Sequence, residues 1–401
     1  VRSRGLGDVY KRQVLQLLVA NLCKMFKKTN IFVGNKTTKK MKPRLIFSTL
    51  LLFSIGVMGC STAHKAARNG ESGRFEPYDN MALLYGGNMA RTNALWTEER
   101  LRPHVTYTDP NGHEHWLFDA FLALEIYDKS TPGEEGAAMG IGYGNHPAGK
   151  SNWQHFIDYW FTEGNGFDAL NEVVGEAEDR LGHPSTKRKV VVSIPDPIPY
   201  YDFKDTTSNT VYWGELGGRQ MDFAKGEDRL AACKWFVDTV LAKWKEAGFK
   251  NLELEGFYCF SEELATWQSG YNPELKRWEE VYPALSDYVH SKKLSMSWIP
   301  YNWAAGSDRW QNFHLDFVMI QPNYLWHPEY NMEDWKARLQ QNNLSMEIEL
   351  DDKVLYGNPD WESFRERFYY YFQMCKDLGL YGNCILSYLS LIHISEPTRP
   401  Y

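Results

Sequence analysis

The chain has 401 residues and a formal net charge of −7, with 44 Lys and Arg against 51 Asp and Glu and no basic block. That balance argues against nucleic acid as a partner. Cys233, Cys259, Cys375 and Cys384 are scattered without zinc spacing and read as small buried apolar residues, so neither a metal centre nor a cofactor is expected. Aromatic residues make up 15%, with 15 Trp. They fit a large core and, in an exported protein, platforms for the apolar faces of sugar rings.

Residues 1–13 and 390–401 resemble translated sequencing-adaptor read-through, have no helical or strand periodicity, and are set aside from the fold. Residues 1–40 are read as a leader upstream of the true start. From Met41 the chain reads as a signal peptide: Lys42 and Arg44 form a basic head, and residues 45–57 are apolar but short for a membrane span. Residues 57–60 (Val-Met-Gly-Cys) resemble a lipobox with Cys60 as the lipid-bearing residue, and Ser61 is not the Asp of inner-membrane retention. With residues 61–79 as a polar tether, the expectation is a lipoprotein of the cell envelope, held on the outer membrane by its lipid alone.

The body, residues 80–388, is long enough for one barrel domain. Its predicted strands are 81–87, 116–126, 189–195, 251–260, 294–301, 316–323, 345–351 and 382–388. Apolar residues at three- and four-residue spacing predict helices at 153–160, 167–180, 229–247, 273–290, 332–340 and 361–378. Strand, helix, strand repeated this way implies parallel strands with right-handed crossovers. Eight strands favour closure into an α/β, TIM-like (β/α)8 barrel. Asn111-Gly112 marks a small hairpin insertion before strand two. Strand eight runs straight into the tail, so a barrel truncated before its last helix, with an apolar face exposed, is expected.

Barrel enzymes carry their chemistry at the C-terminal strand ends. On strand seven, Glu347, Glu349 and Asp351 alternate with Met346, Ile348 and Leu350, which puts the acids inside. Strand four repeats this with Glu253 and Glu255, and Glu262 and Glu263 follow at its mouth. Carboxylates from strands four and seven face each other, as glycoside hydrolysis requires of its acid and its ionised partner. By resemblance to retaining barrel glycosidases, Glu262 is the acid/base candidate with Glu255 as rival, and Glu349 the nucleophile candidate with Glu347 behind it. Ser261 stands where that superfamily usually has Asn. The competing reading pairs these acids with buried Arg or Lys.

Asp119, Trp213, Trp298, Tyr301, Asn302, Gln321, Asn323 and Tyr324 are candidates to hold a poly- or oligosaccharide. Glu347, Glu349, Asp351 and Asp352 could hold a hard cation, a weaker reading. Residues 144–151 fit a phosphate-loop pattern letter for letter, but no strand precedes them directly and Pro147 has no N–H; Ser151 reads instead as the cap of the next helix.

With Trp116-Leu117-Phe118-Asp119, Gly256-Phe257-Tyr258 with Glu262, Trp298-Ile299-Pro300-Tyr301, Gln321-Pro322-Asn323-Tyr324 and Glu347-Ile348-Glu349, the body resembles the bacterial domain-of-unknown-function family 4855. Cys259 departs from the Trp expected after Gly-Phe-Tyr. The resemblance implies a glycoside-hydrolase-like barrel lipoprotein but names no activity. Three functions stay open: a two-carboxylate glycoside hydrolase, a non-catalytic glycan-binding barrel, and a structural envelope lipoprotein. No obligate protein partner is evident.

Overall fold

The computed structural model describes residues 78–87, 95–129, 136–140, 146–201, 208–264, 279–354 and 358–390. The leader, signal peptide, Cys60, most of the tether and the tail beyond residue 390 lie outside the described residues.

The barrel strands are β1 (Asn80–Tyr85), β2 (Ala120–Leu124), β3 (Arg188–Ile194), β4 (Leu252–Cys259), β5 (Ser295–Trp298), β6 (Phe317–Ile320), β7 (Ser345–Leu350) and β8 (Leu386–Ser390). They close in the order β1-β8-β7-β6-β5-β4-β3-β2, all neighbours parallel. The predicted (β/α)8 barrel is the observed fold.

Helices α1 (Glu98–Val105), α2 (Lys150–Trp160), α3 (Gly166–Leu181), α4 (Gly226–Ala247), α5 (Tyr282–Ser291), α6 (Met332–Asn342) and α7 (Trp361–Asp377) coat the strands. In α2, Trp153, Phe156, Ile157 and Trp160 recur at helical spacing and are all buried. Each such side chain contributes roughly 1.5–3 kcal/mol on burial. Asn331 caps α6 by accepting from the Glu333 and Asp334 N–H groups. Helix α4 ends at Gly248, whose φ of 60° suits a residue without Cβ.

Three local predictions are corrected. Predicted strand two is two elements: Glu114–Trp116 pairs with Thr106–Thr108 in the hairpin, and the barrel strand starts only at Ala120. Helix α1 escapes the periodicity because it buries only Leu101, His104 and Val105 and contains Pro103. Ser151 is not the cap of α2; Gly149 holds that place, its N–H donating to Asn152 Oδ1 at 2.9 Å. Between β5 and β6 the crossover carries only the 3₁₀ turn Trp310–Phe313, and Tyr212–Leu216 pairs with Arg219–Asp222 in a second ribbon after β3.

Strand alternation sorts the core into two layers. Ala82, Leu84, Phe121, Ala123, Val190, Val192, Met346 and Ile348 face the helices. Met81, Tyr85, Leu122, Leu124, Val191, Tyr258, Phe260 and Met319 face the barrel axis. Toward the N-terminal end the interior is ionic. Lys189, fully buried, lies 2.8 Å from Glu253 and 3.5 Å from Glu255. Strand β4 shifts register between Leu254 and Gly256, which makes Glu255 the extra residue of a bulge. A Cβ on Gly256 would lie 2.3 Å from the Ser295 carbonyl oxygen, so only glycine lets β4 and β5 approach there.

Candidate active site

At the C-terminal mouth, a cavity of about 180 Å³ is lined by Tyr85, Tyr258, Phe260, Trp326, Gln321, Glu262 and Glu347, with Leu83, Leu124, Ile126, Ile299 and Leu389 as its apolar wall. Past the bulge, Tyr258 points inward from β4, and Phe260 and Glu262 join it on one wall from the loop that follows. Glu347 enters from β7 and is fully buried, whereas Glu262 is half-buried. The Gln321 amide donates to Glu262 Oε1 at 3.4 Å. Both carboxylates act on Tyr258: burial first, then the charge of Glu262 and, more weakly, of Tyr85, Cys259 and Glu347, holds its phenol well above the usual range. Tyr258 is therefore a proton-bearing donor in this cavity at any physiological pH.

The loop that carries Glu262 is anchored from β5. Trp298, fully buried among the outer core residues, donates its indole N–H to the Ser261 carbonyl. The Tyr301 hydroxyl donates to Glu263, and the Leu264 N–H to the Ala305 carbonyl at 3.0 Å. Trp298 thus holds the backbone and Tyr301 the Glu263 side chain on either side of Glu262, and neither lines the cavity.

The other nominated residues separate by position. Glu255 does not line the cavity; the bulge turns it toward Lys189. Glu349 is fully buried and also outside the cavity lining. Its Oε1 accepts from the Asn323 N–H (2.9 Å) and Nδ2 (3.3 Å), and Oε2 accepts from the Tyr371 hydroxyl of α7. Asp119 lies just before β2, at the opposite end of the barrel. It accepts from Arg188 at 3.0 Å and from the Asn80 N–H at 3.2 Å.

Trp213 is core, 5.0 Å from Trp153 and 5.3 Å from Trp235 between ring centres. Asn302 is buried and donates to the Pro322 carbonyl at 2.7 Å, and Tyr324 packs on Tyr370. Of the eight proposed sugar contacts, Gln321 alone lines the cavity. Tyr85, Tyr258, Phe260 and Trp326 were missed; for Tyr258 and Phe260 the period-two alternation beyond Gly256 was the available signal.

Asp351 accepts from the Trp326 indole at 3.0 Å and the Lys353 N–H at 2.9 Å. Among the described residues, no three His, Cys, Asp or Glu side chains gather as metal ligands. In the phosphate-loop look-alike, Lys150 donates to the Glu215 carbonyl at 2.7 Å, and Gly144 and Asn145 lie outside the described residues.

Burial pushes the Glu349 carboxyl up to about 8, against the lowering effect of the Tyr371 and Asn323 hydrogen bonds. Between the usual 4.5 and about 8 the folded protein therefore keeps a proton that the unfolded chain has released. This contribution to stability is complete below 4.5 and is lost as pH rises through about 8, at about 1.4 kcal/mol per pH unit. Carboxylates held low, such as Glu114 beside Arg180, oppose the trend only near the usual carboxylate value and are ionised in both states above about pH 6. Thermal melts from pH 5 to 8 should show Tm falling in the wild type and falling less in Glu349→Gln; parallel curves would remove the assignment.

A comparison with curated proteins finds no match. Among solved structures, the chain is similar to a GH18 chitinase from Pseudoalteromonas aurantia, at 12% identity and a TM-score of 0.35, covering 78% of this chain and 94% of that one. It is also similar to a GH26 beta-mannanase from Bacteroides ovatus, at 9% identity and a TM-score of 0.37, covering 86% and 87%. The family model described as domain of unknown function (DUF4855) matches residues 80–394, which span the barrel from β1 to β8, and the chain belongs to that family.

Proposed function

We propose that this barrel hydrolyses a glycosidic bond, with Glu262 as the proton-donating acid/base and Glu347 as the carboxylate that meets the sugar carbon. The observation that carries the reading is that these acids, one from the loop after β4 and one from within β7, line one aromatic cavity. At about 180 Å³ the cavity falls below the roughly 300 Å³ of drug-sized sites, which suits a single sugar ring. Tyr85, Tyr258, Phe260 and Trp326 offer ring faces, while Gln321 and the Tyr258 hydroxyl offer polar contacts. The substrate class is an oligo- or polysaccharide, in keeping with the envelope placement expected from Cys60.

The chain of the sugar beyond the cavity has a platform in Trp303. It is 48% exposed, and the Arg338 guanidinium sits 4.8 Å from its ring centre. It follows Asn302 on the loop tied to Glu263 and Leu264. Trp303→Ala should weaken oligosaccharide binding to the Glu262→Gln protein by about two- to tenfold, measured by titration calorimetry. Unchanged affinity would remove the platform.

The test of the main reading is a screen of chromogenic glycosides and a glycan array with the wild type, Glu262→Gln and Glu347→Gln. Turnover by the wild type and binding without turnover by both variants supports the reading. Glycan binding with no turnover by any of the three favours the non-catalytic glycan-binding barrel instead.

A further inference from the structure

We infer that Glu349 is a positioning residue: it pins the loop after β6, so that Trp326 forms the wall of the candidate active site and Gln321 reaches Glu262. The inference rests on the hydrolase reading for its kinetic consequences, and on geometry alone for the loop. Asn323, with φ of 53°, adopts the left-handed conformation that asparagine tolerates better than most residues. Its carbonyl accepts both the Trp326 N–H (3.2 Å) and the His327 N–H (2.9 Å), which folds residues 323–327 into a tight turn. Glu349 holds the start of that turn through both donors of Asn323.

The other carboxylate oxygen accepts from the Tyr371 hydroxyl, whose oxygen in turn accepts the Leu325 N–H at 2.7 Å. One buried carboxylate thus fixes two points of the turn, one directly and one through Tyr371. Arg367 completes the frame by donating to the Leu325 carbonyl at 2.9 Å, and Asp351 holds the Trp326 indole. A carboxyl group whose two oxygens are already engaged by Asn323 and Tyr371, away from the cavity wall, is committed to holding backbone and unsuited to attacking a sugar carbon. Alternation along β7 cannot separate Glu347 from Glu349, since both lie on its inner face. Position does: Glu347 lines the cavity, whereas Glu349 lies outside it, bonded to Asn323 and Tyr371.

The distinguishing experiment combines steady-state kinetics on a turned-over oligosaccharide with amide hydrogen exchange across residues 321–327. It uses the wild type, Glu349→Gln, Glu349→Ala and Tyr371→Phe. Glu349→Ala should speed exchange at Asn323 and Leu325 and raise KM about tenfold or more, with kcat within about threefold. Glu349→Gln keeps an oxygen for Asn323 and can donate to the Tyr371 oxygen, so it should restore most of both. If Glu349→Ala does not fold, Tyr371→Phe carries the test, with faster exchange at Leu325 expected.

A collapse of kcat at unchanged KM in Glu349→Gln would place Glu349 in the chemistry and overturn the inference. So would unchanged exchange in both Glu349→Ala and Tyr371→Phe. Altered exchange in a protein that hydrolyses no glycan would leave the loop assignment standing and remove the hydrolase reading alone.

Discussion

Replacing Glu347 with Gln is expected to lower kcat on a turned-over oligosaccharide by about 10³-fold or more, with KM changed by less than about threefold. The substitution nearly keeps the volume of a fully buried side chain and replaces the carboxylate that would meet the sugar carbon with a non-nucleophilic amide. Glu262→Gln is the matched case. It should cost about 10²–10⁴-fold on a natural leaving group, which needs a proton, and far less on a nitrophenyl leaving group, which does not. That contrast separates the acid from its partner without assigning either in advance. Wild-type rates in both variants would end the two-carboxylate proposal.

Lys189→Met is expected to cost about 3–5 kcal/mol and to lower Tm by roughly 5–15 °C. The lysine is fully buried and sits between Glu253, at 2.8 Å, and Glu255, at 3.5 Å. Glu253 is 44% exposed and can turn to water, so little of the cost arises there. Glu255 is 4% exposed, and losing this cation leaves a buried carboxylate without its ion pair. Adding Glu255→Gln to Lys189→Met should recover a large part of the loss. A single variant that melts with the wild type would mean that desolvation of the ions already cancels their attraction.

The two experiments test opposite ends of the same barrel. The acids read as inward or at the mouth divide into three uses: Glu253 and Glu255 with Lys189, Glu262 and Glu347 in the cavity, and Glu349 with Asp351 in the loop clamp. The competing reading of buried acids paired with basic side chains therefore describes Glu255, while hydrogen bonding alone accounts for Glu349. The cavity pair is set apart by position: Glu262 and Glu347 line the cavity, whereas Glu255 and Glu349 do not.

What the residues determine unaided is the closed barrel and which strand faces look inward. Alternation of Glu347 and Glu349 with Met346, Ile348 and Leu350, and helical spacing in segments such as Trp153 to Trp160, are local consequences of backbone period. What only the tertiary structure decided is which inward acid reaches the mouth. The bulge before Gly256 turns Glu255 toward Lys189, because β4 must approach the Ser295 backbone too closely for any Cβ. Two residues of β7 on one face meet different fates because Asn323 and Tyr371, from the β6 loop and from α7, converge on Glu349 alone. Asp119 fell at the wrong end because the hairpin takes the first part of its apolar run and delays β2 to Ala120. Period fixes the face of a side chain; its depth and its partners come from elements far away in the chain.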